Sequence, residues 1–269
     1  MSGHGEKSRR SLADEVAIVS GASSGIGAAT ARELGRRGAT VVLAARRVDA
    51  LEGHAQAIRD EGGEAMTLPT DVADPNQVAL LVERTIAACG QVDIVVNNAG
   101  AGWLTTLASS SPEEIVRLLQ VNLLGAILLT RAALPGMLER RHGAIVSVGS
   151  LSGRVAMEPL YSATKFGLRG FSLALRRQLI ASGVSVSLVS PGKIDTAMTR
   201  HVRARMPGPE LVATTIADLV RHPRREVVVP RTNYAIAWLE ETVPGLADLA
   251  HRQRNWAPVQ EKEEATWTS

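Results

Sequence analysis

The sequence predicts an α/β protein, a doubly wound parallel sheet in a three-layer α/β/α arrangement. Short β-branched or apolar runs alternate with longer segments of helical spacing along most of the chain. Hydrophobic residues make up 45% of it but aromatics only 3%. The core must therefore be built from Ala, Val, Leu and Ile, which suits strands covered by helices on both faces. The first strand also runs straight into a glycine-rich turn that opens a helix, the kind of junction at which open α/β sheets bind ligands.

Residues 1–12 are polar and charged, lack the apolar stretch of a signal peptide, and are expected to form a flexible tail. A chain of 269 residues can bury one large core, so 13–230 is expected to be a single domain, with 231–269 a helical extension and tail. The first strand is 16–20 and the helix after it 28–37. The pairing repeats as strand 40–44 with helix 47–61, strand 64–68 with helix 75–89, strand 94–97 with helix 113–139, and strand 144–148 with helix 161–181. A sixth strand follows at 185–189. Strand then helix, repeated, implies right-handed crossovers. After Thr196 the pattern changes to a Met- and Arg-containing stretch as far as Pro209, a helix ending near His222 and a last strand at 226–229.

Charge and cysteine content narrow the function classes. The net charge of +3 and pI near 9.4 come from scattered basic residues with few aromatics to stack on bases, so a cofactor phosphate is a better target than nucleic acid. Cys89 is the sole cysteine, which excludes an intramolecular disulfide and a cysteine-based metal cluster and leaves a buried, inert thiol. No metal site is expected. The most apolar run, 121–134, is interrupted by Asn122, Gly125, Thr130 and Arg131. No membrane span is expected from it, and the protein is expected in the cytoplasm.

The turn after the first strand reads Ser20-Gly21-Ala22-Ser23-Ser24-Gly25-Ile26-Gly27. Glycines there let the backbone approach a pyrophosphate, and the free amides of the following helix favour the anion. Further on, Tyr161 and Lys165 lie four apart on one predicted helix face. A phenol titrates near ~10, and lowering it by about 2 to 3 units takes roughly 3 to 4 kcal/mol. One cation at about 4 Å and an effective dielectric near 20 supplies about 4 kcal/mol. One lysine is therefore enough in magnitude, although ordinary amphipathic helices also carry such pairs.

Taken in order, Ser20 to Gly27, Asn97-Asn98-Ala99-Gly100, Asn122, Ser150, Tyr161 with Lys165, and Pro191-Gly192 with Thr196 resemble the short-chain dehydrogenase/reductase family over about 15–199. The resemblance implies a compact Rossmann-type catalytic domain, a nicotinamide dinucleotide, and reversible hydride transfer between alcohols and carbonyls. It makes Tyr161 the proton donor, tuned by Lys165, which also touches the nicotinamide ribose. Ser150 becomes the hydrogen-bond partner of the carbonyl oxygen, although its gap to Tyr161 is shorter than the family's usual one. Asn122 matches the residue that helps hold a water connecting the lysine to solvent. The same resemblance assigns Gly21, Ser23, Ser24, Gly25, Ile26 and Gly27 to the cofactor, with Asp71 and Val72 at the adenine. Asn98, Ala99 and Gly100 border it, and Pro191, Gly192, Ile194 and Thr196 clamp the carboxamide.

Cofactor choice turns on the end of the second strand. An acid there would hold the ribose hydroxyls of NAD, but Ala45 stands in that place and Arg46 follows, so NADP is expected over NAD. Arg47 can assist, with a solvated helix start as its ordinary role. A non-catalytic NADP-binding sensor or scaffold is the alternative function. An epimerase or dehydratase of the family's extended relatives is the enzyme alternative. Met198, Val202 and Met206, in a lid over 197–209, and Val155, Met157 and Leu160 suggest a hydrophobic carbonyl or alcohol substrate. The run 234–249, with Trp238, Leu239, Val243, Leu246 and Leu249, is expected to be a packed helix, with contact to the cleft, another subunit or a membrane surface as alternatives. The resemblance also implies a homodimer or homotetramer formed through the helices at 113–139 and 161–181.

Overall fold

The computed structural model describes residues 12–102, 106–200, 205–243, 245 and 248. Its sheet has seven parallel strands in the order β3-β2-β1-β4-β5-β6-β7. They are β1 (Val16–Ser20), β2 (Thr40–Ala45), β3 (Glu64–Pro69), β4 (Ile94–Asn97), β5 (Gly143–Val148), β6 (Val184–Pro191) and β7 (Val227–Val229). The strand order reverses between β1 and β4, where the crossovers pass to opposite faces and a crevice opens beyond the strand ends.

Alternation along each strand separates the core into two layers. Ala17, Val19, Val41, Leu43 and Val96 point to one face. There they meet Leu34 of α1 (Gly25–Arg36), Leu51 and Ile58 of α2 (Val48–Asp60), and Val212 and Ile216 further along. Val16, Ile18, Val42, Ala44 and Val95 point to the other face, against Leu81 of α3 (Pro75–Cys89) and against Leu129, Met137 and Leu175. Both faces are covered, which is why these strands are aliphatic throughout.

Local chemistry accounts for several boundaries. Asp74 caps α3 by accepting from the amides of Asn76 and Gln77, Pro75 opens it, and Gly90 at φ 85° ends it. A capping box of Ser111 with Glu114 starts α4 (Pro112–Leu119). The expected helix at 113–139 is α4, a π-turn at Gln120–Leu124 and α5 (Gly125–Arg140) in unbroken succession. The π-turn turns Asn122 into the interior, where its hydrogen bonds are met. By length and apolar composition Pro112–Arg140 could cross a membrane. In the fold, Leu118, Val121, Leu129, Ala133 and Met137 of that run are buried.

Several expected boundaries change. The first helix starts at Gly25 rather than at 28, because the last glycines of the turn form its first helical turn. Leu12 does not belong to a tail: it is fully buried and its amide bonds the carbonyl of Arg37. Residues 1–11 lie outside the described residues. In the C-terminal run, α6 (Pro159–Gln178) and α7 (Glu210–Arg221) are followed by α8 (Tyr234–Thr242). Only Ala237 of α8 is fully buried, while Ile236 and Trp238 are exposed. Leu246, Leu249, Trp256 and Trp267 lie outside the described residues.

Candidate active site

The turn between β1 and α1 needs its glycines. Gly21 and Gly25 have φ of +67° and +55°, a conformation that side chains rarely adopt. A Cβ at Gly27 would lie 2.2 Å from the Gly21 carbonyl oxygen and 2.4 Å from Asn98 Nδ2. Asn98 braces the turn from β4: its amide Nδ2 donates to the carbonyls of Ser20 (2.9 Å) and Gly21 (3.2 Å). The Ser20 hydroxyl, a residue the sequence reading did not single out, accepts from the amides of Asn98 (3.0 Å) and Ala99 (3.1 Å). Ser24, Gly25 and Ile26 present the start of α1 to the crevice. That arrangement suits a diphosphate.

Arg47 is not simply a solvated helix start. Its Nη2 donates to Ser23 Oγ (3.0 Å) and Ser24 Oγ (2.9 Å), so a guanidinium lies across the glycine turn. Arg46 adjoins it after the buried Ala45. Asp71 pairs with Arg117 of α4 at 2.6 Å and accepts from the amide of Ala73. Val72 packs on Gly125, where a Cβ would meet the Val72 carbonyl oxygen at 2.7 Å.

The strand-end residues of β5 and the start of α6 meet on the other side of the crevice. Lys165 Nζ lies 5.6 Å from the centre of the Tyr161 ring and donates to the Val148 carbonyl at 3.1 Å. Ser150 accepts from the amide of Ser152 and hydrogen-bonds the Tyr161 phenol. Asn122 Oδ1 accepts from Ala101 N (2.7 Å), and its Nδ2 donates to Ala101 O (3.0 Å) and Thr164 Oγ1 (3.2 Å). Thr164 in turn donates to the carbonyl of Tyr161. Asn122 Oδ1 and Lys165 Nζ each lie 3.6 Å from where a Cβ on Gly100 would sit, so the three converge.

The electrostatics correct the expected role of Lys165. Burial pushes the Tyr161 phenol up to about 12, with the Glu158 carboxylate adding to the rise and the Ser150 hydrogen bond opposing it. Burial also pulls the Lys165 ammonium down to about 8. Both groups lose water on burial, and in this geometry desolvation prevails over the lysine's attraction for a phenolate. At neutral pH the phenol holds its proton and the ammonium its charge.

The end of β6 completes the crevice. Gly192 N donates to Val229 O at 2.7 Å, fixing the chain after Pro191, and Ile194 is buried. Thr196 Cγ2 lies 3.2 Å from the place of a Cβ on Gly25, so the expected carboxamide clamp faces the glycine turn. Met198 stands 3.1 Å from the corresponding point on Gly102, and Leu160 and Tyr161 pack on Ala101 and Leu118. Val202 lies outside the described residues. A group of charges behind the site was also missed. Glu226 and Glu241 pair with Arg154 and Arg169 across separations of 57 to 87 residues, which no local spacing signals.

The arrangement brings a protonated phenol, a hydroxyl and a buried ammonium to one side of the glycine turn. Comparisons with known proteins identify the family. The family described as short chain dehydrogenase matches residues 15–207. Ketoacyl reductase HetN of Nostoc sp. is 36% identical over 227 residues, 81% of this chain and 79% of that protein. The 3-oxoacyl-(acyl-carrier-protein) reductase FabG of Escherichia coli is 39% identical over 189 residues, 69% of this chain and 76% of that one. Among solved structures, a metagenomic short-chain oxidoreductase in complex with NADP superposes with a TM-score of 0.74 at 38% identity, covering 81% of this chain and 98% of the other.

Proposed function

This chain belongs to the short-chain dehydrogenase/reductase family of oxidoreductases, and from that membership we propose that it moves hydride between NADP(H) and a carbonyl or secondary alcohol. The convergence of Ser150, Tyr161, Lys165 and Asn122 beside the glycine turn carries the proposal. The residues fit a dinucleotide: Gly21 and Gly27 leave room that a Cβ would fill. Arg47 with Arg46 offers guanidinium charge at the end of β2 where an acid would be needed to prefer NAD. Bound NADPH would supply the hydride.

The chain's own residues do the rest. Ser150 and Tyr161 bind the carbonyl oxygen, and Tyr161 releases its proton to the developing alkoxide. With the phenol held up at about 12, the tyrosine keeps its proton across the neutral range, as a proton donor requires. Lys165, charged at neutral pH, stabilises the negative charge that builds up on the tyrosine as that proton leaves. Asn122 holds the backbone of Ala101 at the rim of the site and, through Thr164, the start of the tyrosine helix. Leu160, Met157, Met198 and Met206 suit an apolar substrate.

A homo-oligomer fits the same reading. Val116, Leu119 and Leu124 on the 112–140 helix and Phe166 on α6 are exposed, and two copies would cover them. A panel of ketones and alcohols followed by NADPH absorbance tests the reading. NADPH-linked turnover of an apolar member is expected. NADH used with equal or better kcat/KM overturns the cofactor choice, and the absence of both turnover and NADPH binding overturns the whole.

A further inference from the structure

Glu226, immediately before β7, has a side chain only 6% exposed, and both its oxygens are engaged. Oε1 accepts from the Ser190 hydroxyl at 2.8 Å. Oε2 accepts from Arg154 Nη1 at 3.2 Å and Arg169 Nε at 3.1 Å. The three donors come from the three segments that carry the active site. Arg154 closes the short turn Leu151–Gly153 that begins at Ser150. Arg169 sits on α6 one turn beyond Lys165. Ser190 precedes Pro191 and Gly192, where β6 turns toward the Thr196 clamp.

A second carboxylate repeats two of these contacts. Glu241 of α8 accepts from Arg154 Nη2 at 2.9 Å and Arg169 Nη2 at 3.3 Å. Two guanidiniums and two carboxylates neutralise one another, as the largely buried Glu226 and Arg154 require, with Glu241 at the exposed end of the cluster. Arg154 Nε has no hydrogen-bond partner, so the Nη atoms alone hold this side chain. The amides of Ser152, Gly153, Arg154 and Val155 bond only to Ser150 and Leu151. The turn therefore has few backbone ties to the sheet, and Arg154 is its charged anchor.

We propose that Glu226 is a positioning residue. It fixes the Ser150 turn, the Tyr161–Lys165 helix and the end of β6 relative to one another, and Glu241 makes the C-terminal helix α8 part of that brace. The role is defined for the NADPH-linked reduction proposed above, and it acts through Ser150 without touching substrate or cofactor.

The test uses the full chain with Glu226→Gln, which keeps the side chain's size and removes its charge. Turnover should fall about tenfold in kcat while the NADPH dissociation constant stays within about twofold. Amide hydrogen exchange read by mass spectrometry should accelerate at 150–156 and stay unchanged at 20–27. Glu226→Asp, which restores the charge, should recover most of the lost kcat. If Glu226→Gln does not fold, Arg154→Met decides. It removes the turn's own tie and leaves Arg169 paired with Glu226, and it should show the same exchange signature with about a threefold loss of kcat. Unchanged exchange at 150–156 in a folded variant, or NADPH affinity lost in step with kcat, overturns the proposal. If the wild-type chain shows no NADPH-linked turnover, the functional reading fails instead, and the exchange measurement still decides the brace.

Discussion

Replacing Lys165 with methionine should abolish a pH dependence of folding stability that the buried ammonium imposes. The lysine is 4% exposed, and burial lowers its pKa from 10.5 to about 8. At about 1.4 kcal/mol per pH unit, that difference corresponds to about 3 kcal/mol. Below pH 8 both folded and unfolded chains carry the proton, and the full cost of burying the charge is present. Between pH 8 and 10.5 the folded state has lost a proton that the unfolded chain still binds, so this contribution to stability rises with pH. Tyr161 acts in the opposite sense and in another window. Its folded pKa is raised from 10 to about 12, and the stability it contributes is lost above pH 10. The Cys89 thiol, raised by burial, is common to both proteins and cancels on subtraction. Urea unfolding at intervals from pH 7 to 10 is the assay. The wild-type chain should gain about 2 kcal/mol relative to Lys165→Met between pH 8 and 10. At pH 7 the two proteins should differ little, because the hydrogen bond from the charged ammonium to Val148, worth about 1.5 to 3 kcal/mol, offsets most of the burial cost. Parallel stability curves across that range would refute the burial argument.

Three further outcomes are expected. Tyr161→Phe should lower kcat by about 10² to 10⁴ while NADPH affinity, measured by cofactor fluorescence, is nearly unchanged; retained turnover rules out the tyrosine as proton donor. Gly27→Ala places a methyl 2.2 Å from the Gly21 carbonyl oxygen, so thermal unfolding should show a loss of about 1 to 3 kcal/mol together with weakened NADPH binding. An alanine variant with wild-type stability and affinity contradicts the close approach. Arg47→Ala removes the guanidinium from Ser23 and Ser24; it should raise the KM for NADPH about tenfold and leave that for NADH unchanged. An equal effect on both cofactors shows that the arginine merely holds the turn.

Most of the sheet was legible because its signals are local. The β1 and β4 limits match the apolar runs, since a strand buried on both faces has to be aliphatic along its length. The glycine turn was legible because its backbone demands residues without a Cβ at fixed places. The spacing of Tyr161 and Lys165 put both on one helix face before any packing was known.

Tertiary structure decided what depends on partners distant in the chain. Asn122 enters the interior because a π-turn rotates it toward Ala101, 21 residues away, and the helical pattern of 113–139 contains no mark of that turn. Arg47 lies on the glycine turn because β1 and β2 are neighbours in the sheet. Glu226 gathers Arg154, Arg169 and Ser190 because β7 pairs beside β6. The same division holds at the reacting tyrosine. Sequence alone determined that a lysine stands one turn from it, but the direction in which its pKa moves was decided by packing. Charge on a phenol is stabilised by a nearby cation and destabilised by loss of water, and how much water is lost depends on the whole fold.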